Sequence, residues 1–196
     1  ERLAADAALA PTLAEESALA LMASAEIRHF QKLSDRITDL GADPSSAMAP
    51  FVGPIGEFHE KTAPSNWLES LVKAYVGDGI GTDFYREVSR SLDPETRALV
   101  LEVCEDTGHS NFAVATVRAA ISADPRQAGR LALWGRRLVG EALSQAQTVA
   151  AERDALASLL VGEVGRPGMG LAELGEMFGR LTDAHTRRMK ALDLQA

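Results

Sequence analysis

The feature that most constrains the fold is a series of long stretches in which apolar residues recur at alternating steps of three and four. This spacing is the period of an amphipathic α-helix, and segments rich in Gly and Pro separate the stretches. The alternating pattern of paired β-strands is not evident. Ala and Leu are abundant while aromatic residues make up 5% of the chain, which also favours helices. The sequence therefore predicts an all-α protein.

Start and stop signals divide the chain into helices. Thr12 opens a T-x-x-E capping box before a helix that Gly41 ends, and Asp93-Pro94 supplies an N-cap followed by a proline at the first helical position. Ser65 is the expected N-cap of the helix between them. The predicted helices span residues 1–10, 13–40, 65–92, 94–123, 125–160 and 171–192, with a short helix at 54–61.

The connections predict how these helices pack. Tight turns join the first helix to the second and the third to the fourth, whereas residues 41–64 form a long connection between the second and third. Tight turns make antiparallel neighbours, and one long crossover is typical of one class of four-helix bundle. We therefore expect a single helical domain over residues 1–196, with a core bundle at about 1–123 and two additional C-terminal helices at about 125–192.

Polar residues interrupt the apolar stripes of these helices. In the second helix Glu26 lies in the middle of the stripe, with His29 beside it, and in the fourth Asp106 and His109 repeat the arrangement. In the third helix Asp78 also falls on the inward face. We therefore expect these carboxylates to point into the core. The stripe around Glu26 consists of Leu19, Ala23, Phe30, Leu33, Ile37 and Leu40.

Three glycines surround Asp78 at positions 77, 79 and 81. Each costs a helix roughly 1 kcal/mol relative to Ala. We therefore expect a close approach to the backbone there. Asp83, further along the same helix, shares its side with Glu87 and Arg90, and we expect it to be solvated.

Carboxylates and imidazoles on facing stripes point to a metal site. A buried carboxylate is costly unless it is paired or metal-bound, and this combination of ligands suits iron or manganese. In bundles of this type, Glu-x-x-His motifs on two helices and single carboxylates on the other two build a dinuclear site. The alternative is a set of buried hydrogen-bonded pairs without metal. The predicted ligands are Glu26, His29, Asp78, Asp106 and His109.

The first helix should supply one more carboxylate. Glu1 is the only candidate in view, but it precedes Glu26 by 25 residues, whereas Asp78 precedes Asp106 by 28. By this repeat the matching residue would lie before Glu1, and we expect the chain to lack its true N-terminus. The residues placed to support or orient the ligands are Glu102, Glu141 and Tyr75.

Two further histidines are expected to have structural roles. His185 lies on the apolar stripe of the last helix, so we expect it to be packed and hydrogen-bonded. His59 lies on the long connection and is expected at the surface.

The residues of the predicted metal site also carry a resemblance to a known family. The segments AEIRHF, WLESLVKAYVGDG, DTGH and LTDAHTRRM resemble ferritin-like diiron proteins, and more closely the actinobacterial relatives of the tRNA 2-methylthio-N6-isopentenyladenosine hydroxylase. The resemblance implies a ferritin-like bundle and a non-haem centre of two iron ions, with manganese as the alternative. It implies Glu26 and His29 as ligands of one iron and Asp106 and His109 as ligands of the other.

The same resemblance implies an activity. Such a centre activates O2 with electrons from an external donor and hydroxylates a prenylated adenosine, in tRNA or as a nucleoside. Asp78 and Asp106 stand where the family has Glu, which is one methylene longer. Two other functions remain as alternatives, namely iron or peroxide handling without an organic substrate, and a non-enzymatic helical scaffold without metal.

Composition limits the partners. A net charge of −8 and a pI of about 5.0 disfavour non-specific binding to nucleic acid. No apolar run approaches the roughly 18–20 residues of a membrane span, and the single cysteine, Cys104, fits a reducing cytoplasm. A homodimer is the alternative to a monomer.

Overall fold

The computed structural model describes residues 2–105, 109–163, 166–167 and 170–196. A π-helical turn at Lys73–Gly77 joins two of its helices, α5 and α6, into one continuous helical segment. The helices are α1 Arg2–Asp6, α2 Leu13–Asp39, α3 Pro44–Met48, α4 Val52–Lys61, α5 Trp67–Val72, α6 Asp78–Val88, α7 Pro94–Val103, α8 His109–Ala123, α9 Arg126–Glu152, α10 Asp154–Val161 and α11 Leu171–Ala191.

The prediction of an all-α bundle is confirmed. Helix α2 packs against α7 and α8, the α5–α6 segment packs against α8 and α9, and α11 lies along α6. The β-structure in the described part of the chain is one antiparallel pair, β1 Gly162–Glu163 with β2 Arg166–Pro167. No helix within the described ranges is long and apolar enough to cross a bilayer.

Local signals for helix ends largely match the structure. Thr12 accepts a hydrogen bond from the Glu15 backbone N–H at 3.3 Å, and Asp93 accepts one from the Thr96 N–H at 3.0 Å. After α2, Gly41 takes a φ of +82°, which only glycine adopts without strain. The third predicted helix begins differently, because Asn66 rather than Ser65 is its N-cap.

Two helices that were predicted to be continuous are interrupted. In place of the predicted helix at 94–123, α7 ends at Val103 and α8 begins at His109. Arg86 donates a hydrogen bond to the carbonyl of Cys104, the C-cap residue of α7. The predicted helix at 125–160 breaks at Arg153, whose φ and ψ of −121° and 96° are extended. The Arg153 guanidinium donates a hydrogen bond to the Pro50 carbonyl at 3.2 Å, at the same position as this break.

The apolar stripe predicted for α2 is buried only in its first half. Leu19 and Ala23 belong to the core, but Phe30 and Leu40 are exposed. The helix that covers this first half is α1, Arg2–Asp6. It forms an antiparallel hairpin with α2, so it lies beside the N-terminal part of that helix.

The core connects the bundle to the C-terminal helices. Leu71, Leu131 and Leu192 are fully buried and come from α5, α9 and the end of α11. The Trp134 indole N–H donates to the Glu69 carbonyl at 2.9 Å, which ties α9 to α5. These contacts hold the α5–α6 segment from two sides.

Candidate metal and ligand site

The π-helical turn places two charged residues on one side of the α5–α6 segment. Lys73 begins this turn and Asp78 directly follows it. Both line the same cavity. A π-turn contains one residue more than the α-helical turn that it replaces, and such turns occur frequently at functional sites. The turn therefore brings together groups that a regular helix would separate.

Glu26 and His29 form the second element of the site. The His29 Nδ1 atom lies 3.5 Å from Glu26 Oε1 on adjacent turns of α2. Side-chain exposure is 58% for Glu26 and 19% for His29. The carboxylate is therefore open to solvent rather than buried in the core, because it borders a cavity. The prediction that the Glu26 side chain points into a closed core is wrong.

Asp78 faces Glu26 across this region. Protein atoms are densely packed around the Asp78 carboxylate, but the residue is exposed to solvent at the cavities that it lines, so the prediction that it points into the core is wrong. Desolvation and, to a smaller extent, the charge of Glu26 raise the pKa of Asp78, the charge of Lys73 lowers it, and the net result is a pKa of about 7. Solvent access through the cavity weakens this desolvation. A divalent cation would relieve this repulsion between the two carboxylates.

Two cavities meet at these residues. A polar cavity of about 250 Å³ and a largely apolar cavity of about 570 Å³ share Glu26, His29, Asp78 and Cys104 in their walls. Arg86 and Arg188 line the polar cavity. The apolar cavity lies between the long connection and the C-terminal helices, with walls that include Phe51, Ile55, Phe58, Phe84, Phe178 and Leu181.

The close approach expected at the glycines occurs at Gly79. Arg188 of α11 donates a hydrogen bond to the Gly79 carbonyl at 2.7 Å, and a Cβ atom at position 79 would lie 2.1 Å from Arg188 Nε. Arg188 also pairs with Asp83, whose side chain is 17% exposed. The prediction that Asp83 is solvated is therefore wrong, because an arginine more than 100 positions away in the sequence covers it.

The remaining predicted site residues have different positions. Glu1 and Asp106 lie outside the described residues, and so does the side chain of His109, although its backbone begins α8. Tyr75 lines the polar cavity. Glu102 is exposed and pairs with Lys32, and the half-buried Glu141 lines neither cavity. Within the described part of the chain, no three His, Cys, Asp or Glu side chains come close enough to hold a metal ion by themselves.

Sequence reasoning missed three residues near the cavities. Lys73 is 7% exposed and lines the apolar cavity, whereas a lysine on a helix is normally assigned to the surface. His59 was expected at the surface but lines the same cavity, and its buried Nδ1 has no hydrogen-bond partner among the described residues. Arg188 lies among other charged residues in the sequence, which predicts a surface position. Only the structure shows that it contacts Gly79.

His185 is packed as expected but is not hydrogen-bonded. Its exposure is 4%, and neither ring nitrogen has a partner within the described ranges. Burial lowers the pKa of His185, and the charge of Arg188 adds to this effect.

The sequence was compared with protein-family models and with curated proteins. A family model described as a ferritin-like domain of actinomycetes matches residues 1–163. No curated protein matches the chain significantly. The matched range includes the residues of α2 and of the α5–α6 segment that line the cavities, and it stops before α11.

Proposed function

The chain belongs to the ferritin-like domain family of actinomycetes, and from this premise we propose that it is a metal-dependent, O2-activating hydroxylase with a non-haem diiron centre. The family establishes the fold, and the arrangement of side chains supports the chemistry. The observation that carries the proposal is that Glu26, His29 and Asp78 border a large apolar cavity.

The residue types present suit divalent metal ions, although Glu26, His29 and Asp78 do not by themselves form a complete metal-binding cluster. Glu26 and Asp78 are close enough for the charge of one to raise the pKa of the other, and His29 lies beside Glu26. Such carboxylates and imidazoles are suitable ligands for iron and manganese. Asp106 and His109 would complete the set, since they repeat the spacing of Glu26 and His29. The side chains of this second pair lie outside the described residues.

When bound, the metal pair would supply the activation of O2 with electrons from an external donor. The residues of the chain contribute separately to such a reaction. The aromatic and aliphatic walls of the apolar cavity exclude water and hold a hydrocarbon group beside Glu26 and Asp78. Arg188 holds the backbone next to Asp78 through the Gly79 carbonyl, which limits the movement of that carboxylate.

The apolar cavity favours a hydroxylase over a protein that handles only iron or peroxide. Cavities for small organic molecules typically enclose about 300–1,000 Å³ and have mostly apolar walls, and the volume here is about 570 Å³. Ferrous ions and peroxide do not need a cavity of this character. A prenylated nucleoside, alone or in tRNA, is the substrate that the resemblance implies, and its aliphatic group suits the walls.

Metal content is the experiment that tests this proposal. We expect the protein purified without chelator, or loaded anaerobically with ferrous iron, to contain about two irons per chain, and a variant with Asp106→Ala and His109→Ala to lose them. Hydroxylation of prenylated nucleosides would then be assayed with a chemical reductant. Protein that takes up no metal after ferrous loading would overturn the proposal and leave the non-enzymatic scaffold as the explanation.

A further inference from the structure

The apolar cavity contains a buried positive charge that the proposed metal site does not use. Lys73 is 7% exposed, and its Nζ atom donates a hydrogen bond to the Thr62 carbonyl at 2.7 Å. The same Nζ lies 5.7 Å from the centre of the Phe58 ring. Lys73 and Phe58 both line the cavity, so the ammonium group lies at its wall.

Among the described residues, this ammonium group has no ion-pair partner. No carboxylate oxygen of the described residues lies within 4 Å of Lys73 Nζ. Asp6 and Asp78 attract it from longer range, while Arg2 repels it. A buried charge without a partner is costly, which is why lysines are seldom buried unless something pairs with them. The position therefore favours an anion in the adjacent cavity.

His59 gives a second, independent indication at the same wall. It follows Phe58 on α4 and lines the same cavity, and its buried Nδ1 has no hydrogen-bond partner within the described part of the chain. Buried polar atoms are nearly always satisfied by protein, water or a ligand. His59 therefore leaves a polar atom that no described residue satisfies, and it lines the same cavity as Lys73.

We propose that the apolar cavity binds an amphipathic organic acid, with its carboxylate paired to Lys73 and its hydrophobic body against the aromatic wall. The wall residues Phe51, Phe84 and Phe178 suit an aliphatic or aromatic body. Binding of the acid requires only the cavity and Lys73, whereas its hydroxylation, in place of the prenylated nucleoside that the resemblance implies, rests on the function proposed above.

Binding to metal-free protein tests the proposal separately from the metal site. The probes are decanoate, decanamide and decanol, which share a hydrocarbon chain and differ in charge, and calorimetry gives the dissociation constants. We expect decanoate to bind at least about tenfold more tightly than decanamide. The buried ion pair with Lys73 should contribute more binding free energy than the neutral contact that the amide makes. Decanol should bind about as weakly as decanamide.

A pair of lysine variants assigns the preference to one residue. Lys73→Met keeps an unbranched side chain but removes the charge, so it should abolish the preference for decanoate. Lys61→Met removes an exposed lysine of α4 that pairs with Glu57, and it should retain the preference. Circular dichroism melting of both variants reports whether they fold.

The comparison on wild-type protein decides the matter even where Lys73→Met fails to fold. Equal affinities for the acid and the amide, or no binding of decanoate, would overturn the proposal. Unchanged affinity for decanoate in folded Lys73→Met would do the same. Metal content is measured on separate samples, so failure of the diiron proposal and failure of the acid site are distinct results.

Discussion

The guanidinium group of Arg188 lies directly over Gly79, with 2.7 Å between Arg188 Nη2 and the Gly79 carbonyl oxygen. The C-terminal helix thereby contacts the backbone of the residue after Asp78. The family match ends at residue 163, yet α11 also contributes Phe178 and Leu181 to the apolar cavity. The site therefore depends on a helix that the matched range does not include.

Replacement of Gly79 by Ala should displace Arg188. A Cβ atom there would come within 2.6 Å of three Arg188 atoms, so Arg188 would move away and lose its hydrogen bond to the Gly79 carbonyl and its pairing with Asp83, a loss of about 1–3 kcal/mol. The matched control is Gly77→Ala, where the nearest atom would be Lys73 Cγ at 3.8 Å. Urea unfolding should show a midpoint below that of wild type for Gly79→Ala but not for Gly77→Ala. Equal stability of the two variants would contradict the close approach.

Replacement of Asp78 by Asn should weaken metal binding. The change removes one of the carboxylates that lie close together near His29, and loss of a ligand weakens affinity by at least about tenfold. Titration of anaerobic protein with ferrous iron measures this affinity. Asp35→Asn, on the exposed side of α2, is the control with the same chemical change. If the two variants bind iron equally, Asp78 is not a ligand.

Replacement of His185 by Leu should reduce sensitivity to acid. Because burial lowers the pKa of His185, the folded protein binds its proton less readily than the unfolded chain does. The protein therefore keeps its full stability above about pH 6.5, where His185 is neutral in both states. Its free energy of unfolding decreases as the pH falls below that value, because the unfolded chain takes up the proton more readily. His59, whose pKa is lowered to about 4, contributes with the same sign and remains in the variant.

The His185→Leu experiment compares the free energy of unfolding at about pH 8 and about pH 5. The variant should be about 1 kcal/mol more stable than wild type near neutral pH, since it removes buried nitrogens that have no partner among the described residues. Its advantage should increase at the lower pH. A variant that is less stable at both pH values would show that His185 has a stabilising partner.

The two tryptophans provide a test of one buried hydrogen bond. Both are 9% exposed, but Trp134 donates to the Glu69 carbonyl while the indole N–H of Trp67 has no partner among the described residues. Trp134→Phe should therefore destabilise the protein by about 1 kcal/mol more than Trp67→Phe. Guanidinium unfolding measures the free energy of unfolding of both variants. A smaller loss of stability for Trp134→Phe than for Trp67→Phe would argue against this hydrogen bond.

The sequence by itself determined the helical class and most helix ends. Thr12, Gly41 and Asp93 act on backbone groups within a few residues, so their effects can be predicted from the local sequence. The spacing of Glu26 and His29 placed them on adjacent turns for the same reason. Helical period and capping are local properties.

Only the tertiary structure decided how the site is arranged. The burial of Lys73, the cover of Asp83 by Arg188 and the exposure of Glu26 depend on which helices lie next to them. The breaks after Val103 and at Arg153 coincide with hydrogen bonds from Arg86 and from Arg153 to distant carbonyls. Such contacts join residues up to 109 positions apart, and no pattern within one helix records them. The sequence of a helix determines which side chains share a face, but the packing of other helices decides whether that face lies against the core, a cavity or water.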